Sequence, residues 1–289
     1  MAKTNKIAFQ GEYGANSDTA CRNMFASMQP LPCPTFEDAF NAVEKGDADL
    51  AMIPIENTLA GRVADIHHLL PQSSLYIIGE YFLPIHFQLM VLPGVKREEI
   101  KTVHSHIHAL GQCRNIIRDN GWHGIVAGDT AGAAKLIAEL GDRSMAALAP
   151  ALAADLYGLD ILERDVHDAS GNITRFIILS REECRPAHEP QSGKIVVTSL
   201  LFRVRNVPAA LYKALGGFAT SGINMTKLES YQIDGNFTAT QFFTDIEGHP
   251  EDRLVKLALE ELGFFSSELR ILGVYEGAAN RDNHISPYL

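Results

Sequence analysis

The stretch LYIIGEYFLPIHFQLMVL, residues 75–92, decides how this chain is built. It is rich in β-branched and aromatic residues, so it reads as strand, yet it is too long for one ordinary strand of about 5–6 residues. It reads instead as a crossing segment that leaves one lobe near Tyr81 and enters a second near His86. A return crossing fits LDILERDVHDASGNITRFIILS, residues 159–180. Two crossings imply two α/β lobes with a cleft between them, the usual place for a small ligand. The second lobe then covers roughly residues 84–168. Around the crossings, the short apolar strands KIAFQG (6–11), ADLAMIPI (48–55), KTVHS (101–105) and GIVAG (124–128) alternate with amphipathic helices. That alternation argues for mainly parallel sheets.

The composition shifts at REECRPAHEPQSGK, residues 181–194, which is polar and holds two prolines. It reads as a linker, placed at 183–193, between a first domain at 1–182 and a second at 194–289. The second domain has its own pattern. Strand KIVVTSLLFRV, helix VPAALYKALGGFATSG, strands INMTKLESYQ and FTATQFFTDIEG across the turn signal IDGN (233–236), helix PEDRLVKLALEELGFF and strand ELRILGVYE follow in that order. This is βαββαβ, the ferredoxin-like plan.

The chain carries 25 Lys+Arg against 35 Asp+Glu, a formal net charge of -10. An acidic surface without a basic run argues against nucleic-acid binding. An anionic ligand must therefore be held by a few placed cations and backbone amides. No uninterrupted apolar run is long enough for a bilayer, and the opening MAKTNKIAFQGEYG lacks the apolar core of a signal peptide. Cys21, Cys33, Cys113 and Cys184 are scattered with no CxxC pair, as expected of reduced thiols in a cytoplasmic protein.

Four stretches could carry chemistry. FQGEYGANSDTA (9–20) has a Gly-x-x-Gly turn before Asn16 and Ser17, either an ordinary helix cap or amides suited to an anion. PIENT (54–58) places Glu56, Asn57 and Thr58 at the carboxyl end of an apolar strand, where open α/β sheets bind ligands; the alternative is that Asn57 and Thr58 only cap the next helix. In KTVHSHIHALGQC (101–113), Ser105 is a candidate N-cap of a helix carrying Gln112. His104, His106 and His108 straddle a strand-to-helix switch and would not converge on one metal ion. No G-x-S-x-G elbow and no G-x-G-x-x-G fingerprint is present. GNITRFIIL (171–179) puts Arg175 at the start of a buried strand. Its anionic partner is either an internal Asp or Glu or a ligand carboxylate, and the re-entry of the chain beside the cleft favours the ligand.

Taken in order, FQGEYGANS, PIENTLAG, SHIHALGQC, DTAGAA and GNITRF before a βαββαβ domain resemble the prephenate dehydratase family, with a C-terminal ACT domain. The resemblance covers nearly the whole chain. It implies a two-lobed, periplasmic-binding-protein-like catalytic domain that removes water and carbon dioxide from prephenate to give phenylpyruvate. It implies no metal or organic cofactor. By the same resemblance Thr174 is the catalytic threonine, Asn57, Ser105 and Gln112 belong to the active site, and Arg175, Phe176, Thr58 and Glu56 contact substrate. Thr174 would hydrogen-bond the departing oxygen. Arg175 would grip the pyruvyl carboxylate, because the ring carboxylate loses its charge as carbon dioxide leaves. The family's Ser-His-Pro-Gln-Ala-Leu carries Ile107-His108 in its middle here.

The ACT domain implies phenylalanine as effector, held near Ala210, Leu211, Asn224, Met225, Glu229 and Ser230, and a homodimer or homotetramer. The family's Gly-Ala-Leu reads Ala209-Ala210-Leu211 here, and its Glu-Ser-Arg-Pro reads Glu229-Ser230-Tyr231-Gln232. Rival readings are an arogenate dehydratase, a non-catalytic amino-acid sensor and an ACT-bearing dehydrogenase. The missing glycine fingerprint counts against the dehydrogenase.

Overall fold

The computed structural model describes residues 4–191, 193–205, 207–232 and 239–281. The first lobe opens with β1 (Lys6–Gln10), α1 (Asn16–Met24), β2 (Gln29–Cys33), α2 (Phe36–Lys45), β3 (Leu50–Asn57), the short β4 (Gly61–Arg62), α3 (Ala64–Gln72) and β5 (Tyr76–Pro84). The chain then crosses at 85–87 into β6 (Gln88–Val91), as the length of the apolar stretch required. The second lobe continues through β7 (Thr102–Ser105), α4 (Ile107–Gln112), α5 (Arg114–Asp119), β8 (His123–Val126), α6 (Thr130–Leu140), β9 (Met145–Ala149), α7 (Ala151–Tyr157) and β10 (Asp160–Glu163). The return strand is β11 (Ile173–Ser180).

Two sheets result, ordered β2-β1-β3-β11-β5, with β4 paired to β3, and β10-β6-β9-β7-β8. The crossings lie against each other: Ile85 N–H donates to Asn172 O at 2.8 Å and Val166 N–H to Phe87 O at 2.9 Å.

Two strands were silent in the sequence. β2 reads QPLPC, and prolines normally exclude a strand, but β2 is the sheet edge, where the missing N–H groups leave no ladder bond broken. β9 reads MAALA and is buried throughout at the centre of its sheet. Alanine has low β propensity, but here it lets the alanine-rich α6 pack closely, with Ile137, Met90 and Leu159 filling the core. Burying each of those larger side chains is worth about 1.5–3 kcal/mol.

After an irregular stretch come β12 (Val196–Val204), α8 (Ala210–Thr220), β13 (Met225–Gln232), β14 (Ala239–Glu247), α9 (Arg253–Phe265) and β15 (Ser266–Glu276). The sheet order β13-β14-β12-β15 is the ferredoxin-like arrangement. Its core includes the stacked pair Phe202 and Phe242, with ring centroids 5.2 Å apart. The turn signal IDGN at 233–236 lies outside the described residues.

The chain divides into two compact units, 1–66 with 81–176, and 67–80 with 177–289. The boundary expected at 183–193 therefore omits a segment that packs with the C-terminal strands. Three contacts hold it there. The Arg270 guanidinium donates to Pro71 O and Ser73 O, at 3.3 and 2.6 Å. A Cβ on Gly273 would stand 1.9 Å from Ile77 O, so only glycine fits. Arg281 forms a buried ion pair with Glu80.

Candidate active site

A cleft of about 690 Å³ opens between the lobes of the first unit. Its walls are largely helix starts. Asn16 and Ser17 of α1, Thr35 and Phe36 of α2, and Asp129 and Thr130 of α6 all line it. The positive ends of these helix dipoles favour an anion in an otherwise acidic protein. The helices are not equivalent. Thr35 and Asp38 form a capping box on α2, and Asp129 accepts from Gly132 N–H on α6. The N-cap of α1 is Ala15, which has no side chain to offer, so the first amides of α1 face the cleft without a cap.

The Gly-x-x-Gly turn before α1 is explained by Gly14. It sits at φ 88°, and a Cβ there would be 2.9 Å from Ala153 Cα on α7 of the opposite lobe. The buried Asp18 closes the turn, accepting from Gly14 N–H at 2.8 Å. Two further bonds join the lobes beside it: Lys135 Nζ to Glu12 at 3.2 Å, and Tyr157 O–H to Tyr13 O at 2.7 Å.

One hydrogen-bonded chain crosses the cleft. Asn57 Oδ1 accepts from the N–H groups of Leu59 and Ala60, at 2.9 and 2.8 Å. That fixes which way the amide points, so Nδ2 must donate. It donates to Asn172 Oδ1 at 2.7 Å and to Thr174 Oγ1 at 3.0 Å. Asn172 Nδ2 in turn donates to Gln112 Oε1 at 2.7 Å. Because Thr174 Oγ1 receives a bond, its own O–H is left to donate elsewhere. Thr174 lines the cleft, so that proton is available to a ligand.

His106 adds a second oriented donor. Its Nδ1 accepts from His108 N–H at 3.3 Å, and this places the ring proton on Nε2. Burial lowers its pKa from the usual value, and the neighbouring His108 lowers it further, so the ring is neutral at pH 7.

The remaining expected residues fall elsewhere. Arg175 is 3% exposed and donates to Glu56 at 2.9 Å; neither residue lines the cleft. The cause is strand periodicity. Thr174 and Phe176 face the cleft, so the residue between them points away. The internal-carboxylate reading of Arg175 therefore describes this structure, and the ligand reading does not. Thr58 Oγ1 donates to Gly171 O at 2.7 Å and accepts from Ile173 N–H at 2.9 Å, joining β3 to β11. Ser105 is fully buried and donates to Leu148 O at 2.6 Å. It does not cap α4; His106 does. His104 turns to Thr102 Oγ1 at 3.1 Å, away from the paired rings of His106 and His108.

The model of the family described as prephenate dehydratase matches residues 7–184. The chain belongs to the prephenate dehydratase family. It is a lyase of that type, and the match spans both lobes of the cleft. It is 51% identical to a bifunctional N-acyl-homoserine lactone acylase/prephenate dehydratase of Komagataeibacter europaeus, over 95% of this chain and 97% of the relative. It is 38% identical to arogenate dehydratase/prephenate dehydratase 1 of Arabidopsis thaliana, over 93% and 71%. The solved prephenate dehydratase of Arthrobacter aurescens, in complex with L-Phe, superposes with a TM-score of 0.86 at 30% identity, covering 96% of this chain and 91% of that one.

Within this dehydratase, the sequence reading missed Asn172, the hub of the network, although it lies inside GNITRF. A turn asparagine is usually read as turn chemistry, and only the crossing of the two strands brings it to Asn57 and Gln112. Arg62, in the two-residue strand β4, and Asp65, in the first turn of α3, also line the cleft, and no local pattern marks them. Among the described residues, no helix is long and apolar enough to cross a membrane.

Proposed function

We propose that the cleft converts prephenate to phenylpyruvate, with the oriented Thr174 hydroxyl as the group that assists departure of the ring oxygen. The carrying observation is the Asn57 to Thr174 hydrogen bond, which leaves one threonine proton directed to the ligand. As the ring carboxylate's C–C bond breaks, its electron pair enters the ring. The C–O bond across the ring breaks with its pair on oxygen, and the ring becomes aromatic. Charge grows on that oxygen only in the transition state, so a hydrogen bond there lowers the barrier more than it strengthens binding. The alcohol is too weak an acid to give up its proton alone, so the proton that completes water is relayed from solvent.

Anchoring falls to groups that line the cleft. The uncapped amides of α1 and the Arg62 guanidinium suit the pyruvyl carboxylate, which keeps its charge throughout. Gln112 and Asn172 hold Asn57 in place. Arg175 supports the site indirectly, fixing β11 against Glu56. Phenylalanine is the proposed effector in a C-terminal ACT domain, near Asn224 and Met225 at the start of the edge strand β13. Unpaired edges suit side-by-side pairing, so a homodimer or homotetramer is expected, in the cytoplasm.

The test is direct turnover by the full chain. Formation of phenylpyruvate from prephenate, faster than the same chemistry on arogenate, supports the reading. Absence of turnover on both substrates removes it and leaves an amino-acid sensor. The 51% identity to the bifunctional Komagataeibacter europaeus protein favours one second reading, acyl-homoserine lactone hydrolysis, measured by release of the free homoserine lactone.

A further inference from the structure

The two crossings between the lobes carry a second constellation that the cleft does not use. His86 follows β5, while Asp165 and His167 lie between β10 and β11. One ligand atom from each lies within 4.8 Å of the others. His86 Nδ1 stands 2.9 Å from Asp165 Oδ1, and the His86 and His167 rings meet edge to face with centroids 5.4 Å apart.

Two independent features mark the cluster as more than a surface ion pair. His167 Nδ1 is buried and has no hydrogen-bond partner, which is unfavourable unless something satisfies it. Asp165 has φ 53°, in the left-handed region that a side chain normally avoids. It is kept there by the buried Gln88: Asp165 N–H donates to Gln88 Oε1 at 3.0 Å, and Gln88 Nε2 donates back to Asp165 Oδ1 at 3.2 Å. A carboxylate held by a dedicated partner and set beside two imidazoles is the arrangement of a ligand site.

We propose that His86, Asp165 and His167 bind a divalent transition ion of the zinc type, joining the two crossings between the lobes. Two imidazoles and one carboxylate suit Zn²⁺, Co²⁺, Ni²⁺ or Cu²⁺, whereas Mg²⁺ and Ca²⁺ need oxygen ligands. Bonds of about 2.0–2.2 Å require the three atoms to close in on the ion, a shift the exposed side chains of His86 and Asp165 permit. The same exposure leaves the fourth position to water. The ion would restrain how far the lobes part. It has no part in the chemistry at Thr174, so chelators leave turnover intact.

The experiment titrates Co²⁺ into the metal-free full chain carrying Cys184→Ser, because Cys184 is an exposed competing thiol. We expect one equivalent per chain with visible d–d absorption, displaced by Zn²⁺. His86→Gln, at an exposed side chain, should weaken binding at least about tenfold while circular dichroism stays unchanged. Asp165→Asn should do the same. Binding below one equivalent overturns the proposal, as does parental affinity in both variants, which would place the ion elsewhere.

Discussion

Two buried polar networks in this molecule are built to opposite ends. In the second unit, Glu80 and Arg281 are 0% and 1% exposed and meet at 2.6 Å. Arg281 also donates to Thr226 Oγ1, and Glu80 accepts from Ala278 N–H. Both charges are closed off from any ligand. In the cleft, the chain from Gln112 through Asn172 and Asn57 ends on Thr174, whose hydroxyl retains a proton to give. The first network joins a C-terminal segment to the 67–80 segment; the second orients one donor. A closed network supplies structure, and an open-ended one supplies chemistry.

The largest expected effect breaks the open end. Thr174→Ala should reduce kcat by about 10²–10⁴-fold with KM little changed, since the lost bond strengthens only in the transition state. Thermal stability should hold, because the half-buried Thr174 leaves no large cavity. Near-normal turnover in the folded variant would place the catalytic donor elsewhere, and His106 would be the next candidate. The closed network should respond in stability instead. Glu80→Gln leaves the buried Arg281 cation with only Glu247, at 3.9 Å, as counter-charge, a loss of about 3–5 kcal/mol in urea unfolding of the full chain. Combining Glu80→Leu with Arg281→Met should recover most of that, since neither charge is then stranded. A Glu80→Gln chain as stable as the parent would show that water reaches the pair, and the contrast between the networks would fail.

Much of this was legible in the sequence, and the failures have a common cause. The apolar excess of 75–92 announced the crossing, and the order of motifs announced the βαββαβ unit. Thr174, Asn57 and Gln112 stand in the motifs that carry the family resemblance, and the fold brings all three to the lining of one cleft. Arg175 lies off the cleft because TRF is strand as well as motif: consecutive strand residues face opposite ways, so Thr174 lines the cleft while Arg175 pairs with Glu56. Ser105 failed similarly. It ends β7 one residue too early to cap α4, and its side chain turns into the sheet. Asn172 and the uncapped α1 were invisible for another reason. Their roles depend on strands and lobes brought together over long sequence separations, as in the bond from Asn172 to Gln112.

The smallest effect sharpens the comparison at the start of α8. Ala209 is the N-cap there, with φ 61° and ψ 17°, and it makes no side-chain cap bond. The left-handed conformation costs a residue with a Cβ about 1–2 kcal/mol. Ala209→Gly removes that cost but gives the unfolded chain more freedom, worth about 0.4–1 kcal/mol in the opposite direction. The net expectation is a gain of up to about 1.6 kcal/mol, read as a higher urea midpoint with an unchanged slope. Ala209 is exposed, so no packing is lost to offset it. Turnover should not move, because Ala209 belongs to the second unit and the cleft network is built within the first. Phenylalanine inhibition should strengthen, since a glycine lets the ligand approach the backbone at the helix start. A variant less stable than the parent would show that the alanine conformation carries no strain. A more stable one with unaltered phenylalanine response would place the effector away from Ala210 and Leu211.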